Sequence, residues 1–291
     1  MLSQRARFWL AVLVMVSLLS FGLACKKKVE DDDSDEVAEN VGVPYKTTGN
    51  EGTIKGSVKL NGAAPTAKPI DMSQDGECVR KNQNPVSEEI KATDGKLANV
   101  FVYIKDGQVT GGSKITGYSF PVPADAATLD QNGCHYVPHV LALQTKQKLN
   151  VVNSDPTTHN VNVQPKSNAK WNQSQTAGAP PIVQQFSRGE VLIPVKCNQH
   201  PWMKAYINVL NHPFFFVTKD DGTFEIKNVP PGTYTLVAWQ EKLGEKTMQV
   251  KVDAKGTATA DFAYDSTATA ALENSSLELL PALDFPMLMQ H

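Results

Sequence analysis

Short runs of alternating apolar and polar residues, each ended by a turn signal, recur from residue 52 to residue 264. A two-residue period places every apolar side chain of a run on one face, which suits a strand packed on one side and no helix. Residues 52–60 (GTIKGSVKL) alternate in this way and meet Asn61-Gly62. Residues 97–105 (LANVFVYIK) are rich in β-branched and aromatic side chains and stop at Asp106-Gly107. Shorter strands are expected over 140–143, 149–153 and from His159 to Val163, and a longer one over 186–196, interrupted at Gly189 and ending at Cys197. Residues 167–181 are polar, with Asn, Gln, Gly and Pro, and are expected to be a loop. No segment before residue 212 carries a long helical period. Many short strands between turns predict an all-β chain, as an antiparallel sandwich or barrel.

Residues 214–264 hold five further strand patterns, with turns at Asp220-Asp221-Gly222, Pro230-Pro231-Gly232 and Lys255-Gly256. A second, smaller sandwich over 213–265 follows, leaving 52–212 as the first domain and 266–291 as a partly disordered tail. The length of 291 residues and a hydrophobic content of 41% allow both cores. A net charge of −2, with no basic block beyond the first few dozen residues, argues against nucleic acid as a partner.

The first residues have a different purpose. Arg5 and Arg7 precede an apolar run over 8–23 that is short for a membrane span of about 20 residues. The run ends in Leu23-Ala24-Cys25, which resembles the lipobox of bacterial lipoproteins. That resemblance implies a signal peptide over 1–24, lipidation of Cys25 and membrane attachment through a lipid anchor. Residues 25–51 begin with a lysine run and an acidic run, too charged to bury, and are expected to form a disordered tether. Lys26 after the lipidated Cys, by similarity to enterobacterial sorting, implies the outer membrane of a bacterial cell envelope, facing the periplasm or the cell surface.

Chemistry concentrates at Cys197-Asn-Gln-His200-Pro-Trp-Met203, with His159-Asn160-Val161 upstream. One thiolate, two imidazoles and a thioether form the donor set of a mononuclear blue-copper electron-transfer site. Cys197, His159 and His200 would be the strong ligands and Met203 the weak axial one. Zinc is a poorer match, because structural zinc takes four Cys or His ligands. A Cys–His nucleophile lacks an orienting partner and an acyl-transfer motif, so an enzyme is not expected. No second Cys lies within 60 residues of Cys197, which excludes a dinuclear centre, and no His flanks it to feed a copper cluster.

The loop resembles that of amicyanin-type cupredoxins, and His159-Asn160-Val161 resembles the upstream ligand region of plastocyanin and amicyanin. The resemblance implies a Greek-key β-sandwich holding one type 1 copper. It also implies that Asn160 secures the ligand loop by hydrogen bonds, and that His200 and Trp202 mark an apolar patch where redox partners dock. Residues 221–239 resemble the carboxypeptidase-regulatory-like (transthyretin-like) module. The two together are similar to exported bacterial proteins labelled as methylamine-utilisation proteins. Partners would be redox proteins, such as a c-type cytochrome or a dehydrogenase. Copper delivery or sequestration, and a structural or adhesive surface lipoprotein, are the competing readings.

Cys78 and Cys134 are left over, and in an oxidising compartment the simplest expectation is a disulfide. Closing a loop of about 57 residues would stabilise the fold by about 4 kcal/mol on the chain-entropy model. His135 and His139 would share one face of an extended segment broken by Pro138. With no further donors nearby they read as core or interface histidines, and His212 carries no signal.

Overall fold

A computed structural model describes residues 42–266, which belong to one compact unit. The expected signal peptide, Cys25, most of the expected tether and nearly all of the expected tail lie outside the described residues. Among the described residues the only helices are Gly76–Lys81 and the single 3-10 turn Ile115–Gly117, so the chain is all-β. No described helix is long and apolar enough to cross a membrane.

The strands form two sandwiches, but the chain enters them in an unexpected order. Strand Gly52–Asn61 pairs antiparallel with Thr223–Val229 and parallel with Thr257–Thr259 and Phe262–Asp265. Strand Phe101–Val109 lies between Phe215–Val217 and Gly232–Gln240, antiparallel to both, and Gly244–Val252 completes that sheet. Strands within residues 52–61, 92–109 and 215–265 therefore build one sandwich, the terminal one. Its core runs from Ile54, Val58, Val102 and Ile104 to Phe224, Leu236, Val250 and Phe262. A division into 52–212 and 213–265 does not describe these sheets. The alternation shows which face of each strand is buried but not which distant strand covers it.

The second sandwich is inserted between those two halves. One of its sheets runs Ile182–Gln184, Leu149–Asn153, Ala127–Gln131, Tyr136–Val137. The other runs Trp171–Gln175, His159–Val163, Glu190–Lys196, Lys204–Leu210, Val140–Gln144. Between them lie Leu129, Leu143, Leu149, Val151, Val161, Ile193, Val195 and Ile207, all buried. Removing each such aliphatic side chain from water contributes about 1.5–3 kcal/mol.

The polar stretch expected as a loop contains strand Trp171–Gln175, paired along its length with His159–Val163. It sits at a sheet edge with most of its residues exposed, so it needs no apolar alternation. A third cluster joins the sandwiches, where Phe101, Tyr103, Val237 and Trp239 of the terminal one meet Val140 of the inserted one. There Tyr206 packs edge-on against Trp239, ring centroids 5.0 Å apart. His139 meets Glu241 at 2.5 Å.

Residues 62–91 leave the terminal sandwich and cross to the inserted one. Met72 and Cys78 from this excursion join the inserted core. Cys78 is disulfide-bonded to Cys134 with Cα atoms 5.6 Å apart.

Candidate metal centre

Strands Glu190–Lys196 and Lys204–Leu210 are antiparallel neighbours, and the seven residues 197–203 connect them. The connection is closed at its base: Cys197 N–H donates to the Met203 carbonyl (3.2 Å) and Met203 N–H to that of His200 (2.9 Å). This tight turn holds Cys197, His200 and Met203 at one end of the sandwich. Strand His159–Val163 pairs with Glu190–Lys196, Asn162 opposite Lys196, so His159 arrives at the same end. The register of two rigid strands, rather than loop flexibility, brings the fourth residue to the other three.

Donor atoms of His159, Cys197 and His200 lie within 4.8 Å of one another, and all three residues are buried. The two Nδ1 atoms are 2.9 Å apart, and Cys197 Sγ is 3.7 Å from His200 Nδ1. Met203 is fully buried in the same cluster as Cys197. Asn160 N–H points to Cys197 Sγ (3.4 Å), and Asn160 Oδ1 accepts from Asn198 N–H (3.2 Å). Asn160 Nδ2 donates to Asn172 Oδ1 at 2.7 Å, which ties the loop to the edge strand.

The opposite ring nitrogens meet carboxylates. His159 Nε2 is 2.9 Å from Asp155 Oδ2, and His200 Nε2 is 3.1 Å from Asp75 Oδ2. Burial alone would raise both acids. For Asp155, His159 and the N–H groups of Cys134 and Gly133 outweigh it. For Asp75, Thr157, the N–H groups of Cys78 and Glu77, and His200 do so. Both pKa values are thus depressed, and an ionised carboxylate only accepts, so each imidazole donates its Nε2–H. That leaves two bare Nδ1 lone pairs and a sulfur facing one another.

Such a cluster calls for a cation. Without a metal, the cation is a proton on His159: burial disfavours it, but Asp155 and Cys197 lift that pKa to about 9. Burial likewise pushes the Cys197 thiol up, but His159 and the N–H groups of Asn160, His200 and Gln199 more than offset this. The net effect favours the thiolate. His200 is lowered, by burial first and then by the neighbouring His159 charge, against the pull of Asp75. A soft thiolate with two imidazoles of fixed tautomer matches the strong ligands of a copper site. Two overlapping groups, Asp75–Cys78–His200 and Cys134–Asp155–His159, also converge, but their sulfurs are joined to each other and offer no thiolate.

The expected docking patch is not formed. His200 is only 5% exposed, and its outer edge is covered by Asp75 and by Cys78, whose Sγ is 4.0 Å from Nε2. Trp202 is half-buried, stacks obliquely on His200 (5.1 Å) and donates Nε1–H to the Cys134 carbonyl (3.2 Å). The excursion of residues 62–91 causes this, because it delivers a helix and a half-cystine onto a surface the loop would otherwise present. His135 and His139 hold no common ligand group with other donors among the described residues. His212 is buried beside Phe120 and Phe214, and burial pushes its pKa down to about 4.

Asp75 and Asp155 escape a reading of the sequence. Asp155 precedes His159 by four residues, a spacing that could have prompted its inclusion. Asp75 lies more than 80 residues upstream, where Asp-Gly-Glu-Cys signals only a helix N-cap.

Residues 205–260 match the family model described as polysaccharide lyase family 4, domain II. No curated protein matches the chain. Among solved structures, a Cu-containing nitrite reductase from Thermus scotoductus SA-01 is 18% identical over 30% of this chain, with TM-score 0.28. The chain spans 23% of that protein's length. Amicyanin from Paracoccus versutus is 17% identical over 37% of this chain and 96% of its own, with TM-score 0.27. A purple cupredoxin from Nitrosopumilus maritimus is 17% identical over 28% of this chain and 98% of its own, with TM-score 0.25.

Proposed function

We propose that this protein is a copper-binding electron-transfer protein rather than an enzyme, carrying one electron at a mononuclear type 1 site. His159, Cys197 and His200 would be the strong ligands, and the Met203 thioether would be the weak one. The observation that carries this reading is the buried convergence of two Nδ1 atoms and Cys197 Sγ, with both Nε2–H groups committed to carboxylates. A bound copper ion would supply a one-electron couple between its cuprous and cupric states. The protein's own residues do the rest. The strand pair and the closed loop hold the donors in one arrangement, so little need rearrange when the charge changes. Burial of all four residues keeps water from the donors, and Asn160 N–H steadies the thiolate.

The setting of this function rests on the sequence. The Leu23-Ala24-Cys25 motif supports a lipid anchor, and Lys26 an outer-membrane location in a bacterial envelope. A redox protein, such as a c-type cytochrome or a dehydrogenase, would be donor or acceptor.

Visible and EPR spectra of the copper-loaded protein test the reading. An intense thiolate-to-copper absorption that is lost on reduction and returns on oxidation is expected. A colourless cupric complex with ordinary tetragonal parameters would refute it. Rapid loss of copper to a chelator with no redox cycling would favour a delivery protein instead.

A further inference from the structure

The proposed function uses the two carboxylates only to commit each outer imidazole nitrogen, and leaves their own support and their charge unused. Those carboxylates share one support. Asp155, fully buried, accepts the N–H of Cys134 on Oδ2 (2.8 Å) and of Gly133 on Oδ1 (2.7 Å). Asp75 caps helix Gly76–Lys81, accepting the N–H of Glu77 (2.8 Å) and Cys78 (3.2 Å) on Oδ1. Its Oδ2 takes the Thr157 hydroxyl (3.0 Å) together with His200. Each half of the Cys78–Cys134 disulfide thus donates its own N–H to one of the two acids, and the covalent link ties the acids' supports together.

We infer that Asp75 and Asp155 are positioning residues of the metal site, held in place by the Cys78–Cys134 bridge, and that their paired charge biases the site toward the cupric ion. This rests on the copper function proposed above. A carboxylate accepting Nε2–H fixes the ring's tautomer and orientation and makes Nδ1 a stronger donor. It also sets a negative charge one ring away from the metal position. Both effects favour the more highly charged ion. Two such carboxylates, one per imidazole, act in the same direction.

Asp75→Asn in the full-length protein isolates the effect. Asn is as good an N-cap as Asp, so Oδ1 keeps the helix N–H groups while an amide NH2 replaces the acceptor facing His200. Cupric affinity should fall about 10–100-fold, as measured for other partners of metal-bound imidazoles. Cuprous affinity should fall less, so the reduction potential rises. Each tenfold difference between the two losses is about 59 mV for one electron. Asp75→Glu, which keeps the charge, should recover part of the change. Asp155→Asn should act in the same direction, but with its NH2 in the place of Oδ2 it also strips the acceptor from the buried Cys134 N–H and so tests folding as well. The Asp75 variant carries the decision.

Unchanged affinities in Asp75→Asn, or equal losses for both oxidation states with no movement of the potential, would overturn the inference alone. A wild-type protein that takes up copper without a thiolate absorption would overturn the proposed function, and this inference with it.

Discussion

At Cys197 the sulfur is held near the thiolate state by N–H groups and by His159, and it is the soft donor of the proposed set. Cys197→Ser should therefore abolish the visible absorption of the copper-loaded protein while leaving the far-ultraviolet CD unchanged, since Ser fills nearly the same volume. An absorption that survived would mean another residue supplies the sulfur. The Asp155–His159 pair gives the metal-free protein a distinct pH profile. Asp155 lies below its usual 3.8, so its stabilisation is complete above that pH and is lost as pH falls through the depressed value. His159 is raised from 6.5 to about 9, so its stabilisation is complete below 6.5 and is lost as pH rises toward 9. Buried His212, held down at about 4, withdraws stability as pH falls from 6.5 toward 4, so melting temperatures of the metal-free protein should peak near pH 6.5 and decline on both sides. A Tm that climbed from pH 6.5 to 9 would contradict the pairing.

The strands around the site are ordinary, and the excursion of residues 62–91 is what distinguishes it. Helix Gly76–Lys81 is too short to persist alone. Asp75 caps it, Cys78 buries on the inserted core, and the disulfide fastens it there. Replacing both Cys78 and Cys134 by Ala should cost about 2–4 kcal/mol of stability, read from denaturant midpoints at constant m-value. Backbone hydrogen exchange should quicken over residues 70–82 in particular, because the terminal sandwich does not hold that segment. An equal increase across all strands would show that the bridge supports the fold generally rather than this cover. Two cysteines outside the ligand loop, with an oxidising compartment expected, suggest the disulfide. They do not suggest its place against His200, because no pattern in residues 62–91 names the surface they will meet.

The two sandwiches share one chain in an order that makes the terminal one depend on both halves. A protein ending at residue 212 keeps Gly52–Asn61 and Phe101–Val109 but removes their partners Thr223–Val229 and Gly232–Gln240. It should give a poorly dispersed amide NMR spectrum for residues 52–61 and 101–109, even if the inserted sandwich stays folded. Full dispersion there would show that residues 52–212 stand alone. At the seam, Trp239→Ala removes the partner of Tyr206 and a member of the joining cluster, at a cost of about 3–5 kcal/mol.

The strand alternation, the turn dipeptides and the 197–203 spacing each lie within a few residues. They were legible as an all-β chain with a candidate ligand loop, since side-chain period and loop closure are local physics. The pairing of Gly52–Asn61 with strands some 170 residues later was not legible, because an apolar face fits many apolar faces and only the packed core selects among them. The two carboxylates behind the imidazoles were hidden for the same reason. A hydrogen bond across 125 residues leaves no periodic trace and exists only once the folded backbone has brought Asp75 to His200.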